Sequence, residues 1–186
     1  MENTESLKKV EKRKLKIDRD LVDISLTSNV RASFGYLDKK GTAVELENHG
    51  DSEYITFGEL RTMASGRHKK TLHNMYVLIT DVEDPEGEVE VEDVLQQLRL
   101  TKYYDTAKKI FGVDHLDETS FDDFVKNAKL EDIIKALEHD FLVNGLTESA
   151  VHLHRQGKIG LEKTKEIFNA CGIKTSRFYD FLSDLS

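Results

Sequence analysis

Tryptophan is absent from the 186 residues, and cysteine and proline occur once each. The single cysteine, Cys171, cannot close a disulfide within the chain. That excludes a disulfide-stapled scaffold and points to a reducing compartment or one where thiols do not matter. No apolar run approaches the roughly 18–20 residues needed to cross a bilayer. The opening "MENTESLKKVEKRKLKI" is charged but has no apolar core of a secretory signal. A soluble protein made in the cytoplasm, with no membrane partner, is the expectation. Positive charge is in deficit too: 27 Lys and Arg face 35 Asp and Glu, for a formal net charge of −8. That sign opposes binding of nucleic acid over the whole surface and leaves room only for a local basic patch.

Hydrophobic residues make up 38% of the chain, enough for a core, while 33% charged residues imply an extensively solvated surface. The length suits one domain with an appendage or two small domains. Residues 1–19 form a charged arm or short exposed helix. Residues 2–20 hold seven basic and five acidic side chains, a net +2, including Lys8, Lys9, Lys12, Arg13 and Lys14. An arm of this kind orders against a partner in many assemblies.

From residue 20 the pattern alternates. "LVDISL" puts Val22, Ile24 and Leu26 on one face, and "VRASFGYL" and "TAVELE" continue with period two around the turn "DKKGT". Three strands in an antiparallel meander are expected. Thr56 with Glu59 three residues on has the capping-box spacing, so a short helix follows. "MYVLI" (75–79) reads as a further buried strand, closing a β-rich module over residues 20–80. Residues 81–90 then read as an acidic linker: eight acids and no base fall between 81 and 93, around Pro85.

Residues 91–186 read as a helical domain. Val91, Val94, Leu95 and Leu98 share a helical face, as do Leu130, Ile133, Ile134 and Leu137. Phe121, Phe124, Val125 and Ala128 repeat the pattern behind Thr119-Ser120. Further helices are expected from Thr147 to Gly157, from Leu161 to Gly172, and from Ser176 onward. The fold class is α+β.

Against the acidic background stands "SGRHKKTLHNMYVLI" (65–79). Lys70-Thr71 mimics the end of a phosphate-binding loop, but that loop needs glycine where Lys69 and Ala64 stand. A basic turn remains, and Arg67, Lys69 and Lys70 become candidate docking charges for an acidic partner. The acidic stretch cannot form an EF-hand, because Pro85 occupies the fifth loop position and Gly87 the seventh instead of the sixth. His152 and His154 lie two apart on a helical pattern and point to different faces, so no metal site is expected. Cys171 continues the buried stripe of its helix and reads as a small core residue. No nucleophile motif stands out, no cofactor is called for, and no catalytic residue is assigned.

"TKEIFNACGIKTSRFYDFL" has the outline of a helix-turn-helix, with Gly172 in the turn. Lys174, Ser176 and Arg177 would then contact DNA. Phe168 at the helix crossing and Asp180 and Asp184 in the second helix oppose that, and a structural hairpin is favoured.

In its order of parts the chain resembles small virion-associated proteins of tailed phages of Gram-positive hosts. The resemblance is carried by "ITFGELRTM" (Ile55–Met63), the basic Gly66–Lys70 turn, the strand Tyr76–Ile79 and the acidic stretch. In the helical half it is carried by "DVLQQL" (Asp93–Leu98), Tyr103-Tyr104, "LEDIIKAL" (Leu130–Leu137) and Leu146–Ile173. It covers about residues 20–173 and leaves out the basic arm and the last helix. It implies a non-enzymatic structural or accessory role at the head or head–tail connector. The implied partners are capsid, connector or tail proteins, with a homo-oligomer possible, and the implied location is the virion.

Overall fold

A computed structural model describes residues 16–37, 41, 43–66 and 68–172 of the chain. The architecture is α+β, with the strands first and the helices after them. Strand β1 (Asp23–Ser28) lies between β4 (Ser52–Thr56) and β5 (Val77–Glu83), antiparallel to both, while among the described residues β2 (Phe34–Leu37) pairs only with β3 (Ala43–Leu46). The expected meander does not form, because both edges of β1 are already taken. The chain leaving β1 stays clamped there: the Ser28 N–H donates to the Asp51 carbonyl and the Asn29 N–H to the Tyr76 carbonyl, both at 2.9 Å.

The alternation in β1 holds. Ile24 and Leu26 are buried on one face, and on the other Ser25 and Thr27 are buried as well. Burying hydroxyls costs free energy unless they are hydrogen-bonded. Here Thr27 Oγ1 lies 2.8 Å from Ser52 Oγ and 2.7 Å from Thr80 Oγ1, which in turn donates to Ser25 Oγ. Tyr54 and Asp81 flank Ser25 in register, and the Tyr54 hydroxyl reaches across to donate to Asp81 at 2.9 Å. The acids at the end of β5 thus belong to the sheet. Asp81–Glu83, expected in a linker, are strand residues.

The rest of that stretch is a closed turn. The Asp84 carboxylate accepts from the backbone N–H groups of Glu86, Glu88 and Val89, which holds its pKa below the usual carboxylate value. One buried cluster runs without a break from Ile17 through the strands to Ile167, so strands and helices share a core. The outer edge of β5 is tied to the helices directly. The Ile79 N–H donates to the buried Tyr104 hydroxyl at 2.7 Å, satisfying an edge donor that water cannot reach. The N-terminal boundary shifts too: Ile17 is in the core and the Arg19 carbonyl accepts from the Gly58 N–H, so residues 16–19 are part of the fold.

Helix α1 (Phe57–Ser65) starts with the expected capping box of Thr56 and Glu59. A second, one-turn helix α2 (Lys69–His73) replaces the expected basic turn. Met75, in the left-handed region at φ 54°, then turns the chain into β5, with its carbonyl held by Asn29 Nδ2 at 2.9 Å. The helical half comprises α3 (Val91–Leu98), α4 (Thr101–Phe111), α5 (Ser120–Asn127), α6 (Leu130–Ala136), α7 (Asp140–Arg155) and α8 (Leu161–Ala170). Helix α7 begins seven residues before the expected Thr147. Gly145, which weakens a helix on propensity, sits inside it because the Phe121 ring lies where a side chain would go: an added Cβ would meet Phe121 Cε1 at 2.4 Å.

Candidate functional site

Helix α2 carries Lys69 and Lys70 on its first turn, both exposed, and His73 on its last residue. Together with the N-terminal part of α4 and the junction between α6 and α7, it encloses an open groove of about 600 Å³. The floor is made of rings. His73 and Tyr103 lie 4.8 Å apart, Tyr103 meets Phe141 edge-on at 5.2 Å, and Phe141 lies 5.7 Å from His139. Tyr103 stands on the face of α4 adjacent to the buried Tyr104, so the pair divides its work between surface and core.

The charged lining residues differ in sign by element. Lys70 and Lys102 come from α2 and α4, and Glu138 and Asp140 from the α6–α7 junction. Among the described residues no ion pair engages any of these four side chains. Burial, with Lys69 nearby, lowers the pKa of His73, so its ring is neutral near pH 7 and serves as part of the apolar floor. A row of rings with free charges on both rims can hold an extended segment that presents its own ring and charges.

A second polar cluster joins the β loops to the helices. The Arg31 backbone N–H donates to Glu148 on α7 at 2.9 Å, and its guanidinium donates to Asp122 on α5. His152 Nε2 lies 3.9 Å from Asp122 and 2.8 Å from Gln156 Nε2. His49, from the loop before β4, completes the seam; burial and then Arg31 lower its pKa, and the same two causes lower that of His152. Asn144 on α7 donates to the Tyr76 hydroxyl at the start of β5, a further tie between the halves.

Of the sequence-derived candidates, Lys69 and Lys70 are described, and only Lys70 lines the groove. Arg67, the arm residues Lys8, Lys9, Lys12, Arg13 and Lys14, and the DNA-contact candidates Lys174, Ser176 and Arg177 lie outside the described residues. His152 and His154 diverge as their spacing requires: His152 faces Asp122, and His154 Nδ1 lies 3.3 Å from the Ile159 carbonyl. Among the described residues no group of three His, Cys, Asp or Glu side chains is placed to hold a metal ion. Cys171 is half-buried at the end of α8, its thiol donating to the Ile167 carbonyl. Burial pushes that thiol up to about 11, which leaves little thiolate to react at neutral pH.

Sequence reasoning missed the partners of Lys70. His73, Lys102, Tyr103, His139 and Phe141 come from three parts of the chain and share no motif; the one usable signal was the Tyr103-Tyr104 pair, of which Tyr103 is only half-buried. No protein-family model, curated protein or solved structure matches this chain.

Proposed function

We propose that the protein is a non-enzymatic accessory component of a tailed-phage virion, associated with the head or the head–tail connector, that acts by gripping segments of neighbouring virion proteins. The observation that carries this reading is the ring-floored groove, whose four rim charges are unpaired among the described residues. Rings that expose a face and an edge are the usual anchors of protein interfaces, and rim charges steer the encounter and set its register. Lys69 and Lys70 act as docking charges beside it. The resemblance in the order of parts supports the same setting: a protein made in the host cytoplasm and carried in the virion.

The basic arm extends the reach of such a contact, and its deletion must stop at residue 15, because Ile17 belongs to the core. Removal of residues 1–15 weakens co-assembly with virion proteins while leaving thermal unfolding intact. The deciding experiment is mass spectrometry of purified particles of the encoding phage. The chain is expected there at a fixed copy number per particle, and its absence from particles overturns the proposal.

A further inference from the structure

A second cleft, of about 440 Å³, opens between the end of α4, the loop 112–119 and one face of α5, and it shares no lining residue with the groove beside α2. Ser120, Asp123, Phe124 and Asn127 line it with the i, i+3, i+4, i+7 spacing of a single helix face, a length of about 10 Å. Its apolar side is built on a ring stack. Phe111 lies 4.7 Å from Phe124 at an interplanar angle of 29° and meets Phe121 edge-on at 4.9 Å. Phe121 and Phe124 are buried, whereas Phe111 is only half-buried and leaves part of its ring open to the cleft. Val113 also lines the cleft and is 37% exposed, a large hydrophobic side chain left in contact with water.

The charge of the lining is of one sign. Asp117 and Asp123 contribute carboxylates, and His115 is the single lining side chain able to carry a positive charge among the described residues. Asp117 is fixed by its own turn: its Oδ1 accepts from the Thr119 N–H and hydroxyl and from the Ser120 hydroxyl, at 2.8–2.9 Å, which leaves Oδ2 for a ligand. Partial burial pushes its pKa up, but these hydrogen bonds outweigh burial and hold it below the usual carboxylate value, so the group is an anion at neutral pH. The Asp123 carboxylate is exposed, and among the described residues no hydrogen bond or ion pair engages it. A neutral apolar ligand would strip water from these carboxylates without replacing it, and an anion would meet like charge. Among the described residues no group of side chains is placed to hold a metal ion. A cation with an apolar body matches both parts of the lining.

We infer that this cleft takes an arginine side chain of a partner protein, its guanidinium against Asp117 and Asp123 and its aliphatic stem against Phe111 and Val113. Charge complementarity sets the sign of the ligand, and the rings set its type. A guanidinium is planar and weakly hydrated, stacks on aromatic rings and bonds carboxylates in a fork, whereas an ammonium is a compact, strongly hydrated charge. Arginine is also among the most frequent anchors of protein interfaces, where it fills a pocket of the partner. The cleft is separate from the groove beside α2, so the inference stands whether or not the function proposed above does.

The test is a titration of the ¹⁵N-labelled full chain with N-acetyl-arginine methylamide, followed through the amide signals. Saturable shifts at Val113, Asp123 and Asn127 are expected at roughly millimolar concentration. The citrulline analogue has the same shape without the charge and is expected to bind about tenfold more weakly; the lysine analogue is also expected to bind more weakly than arginine. Asp123→Asn is expected to weaken the arginine probe about tenfold while leaving the urea midpoint unchanged, because that carboxylate is exposed and unpaired among the described residues. Shifts that fail to saturate overturn the inference, as do shifts centred on Tyr103 and Phe141, which would place the cation in the other groove. Equal affinity for the citrulline or lysine analogue overturns it too, and so does an Asp123→Asn variant that binds as tightly as the unaltered chain. Each of these results is independent of whether the protein is found in particles.

Discussion

The seam between the β loops and the helices and the groove beside α2 draw on the same residue types, yet they use them in opposite ways. In the seam, Arg31 and Asp122 are only 23% and 21% exposed, they pair with each other, and the Arg31 backbone also engages Glu148. In the groove Lys70, Lys102, Glu138 and Asp140 are exposed and none is ion-paired among the described residues. Charges withdrawn from water need a partner at once, or they cost several kcal/mol. Charges left in water beside rings cost nothing to keep and remain available to a ligand. Pairing and burial thus mark the seam as structural and the groove as a surface for contact.

The contrast breaks most severely where the frame under both sites is disturbed. Gly145→Ala drives a methyl group into the Phe121 ring between α5 and α7, and the bundle can relieve it only by shifting helices. A loss of about 3 kcal/mol is expected from overpacking of this kind, read by urea denaturation. Next is Arg31→Ala, which leaves Asp122 without its guanidinium partner at the seam while the backbone N–H to Glu148 stays in place. Full burial of such a pair would make the loss larger; with about a fifth of each side chain still wet, about 2 kcal/mol is expected. A double-mutant cycle with Asp122→Ala separates the pair from the rest: a coupling near zero would mean that the seam is held by packing instead.

Acid acts on both regions with different weight. His49 and His152 in the seam and His73 in the groove all have folded-state pKa values below the ordinary 6.5, with burial the largest cause in each. Between that lowered value and 6.5 the unfolded chain binds more protons than the folded one, so stability rises with pH there. It is fully present above pH 6.5 and is lost as the pH falls through the folded values. Asp84 and Asp117, whose pKa values are lowered from 3.8, act only at more acidic pH. Melting temperatures between pH 7.5 and 5 therefore isolate the histidines. The double substitution His49→Gln, His152→Gln is expected to flatten that profile more than His73→Gln does, and the reverse order would place the acid-sensitive element in the groove.

Much of the fold was legible in the sequence because it rests on local rules. Period two located β1, the Thr56–Glu59 spacing located the start of α1, and the 3.6-residue period located α3, α5 and α6. What was not legible depends on contacts distant in sequence. β4 was hidden because only Ile55 of "SEYIT" is fully buried, so no alternation showed. The acidic end of β5 read as linker because nothing local says that Tyr54 would reach over Ser25 to Asp81. The helix expected from Thr147 starts earlier, at Asp140, with Gly145 inside it, because what allows glycine there, the Phe121 ring, lies on another helix. The groove follows the same logic: Lys70 was singled out by charge, whereas Tyr103 and Phe141 acquire meaning only once α4 and α7 are side by side.

The smallest expected effect is the sharpest test of the comparison. Lys70→Glu and Lys102→Glu reverse two exposed charges for which no ion pair is seen among the described residues, next to rings that pack without them. Substitutions at such sites usually change stability by no more than about 0.5 kcal/mol. The same reversal leaves the groove lining with acidic side chains and no lysine beside its rings, so a segment that pairs with both signs of charge loses its register. Denaturation midpoints should then match those of the unaltered chain while occupancy of the groove is lost. A destabilisation as large as that of Arg31→Ala would mean that these lysines hold the fold together, and the division between a structural seam and a contact surface would fail.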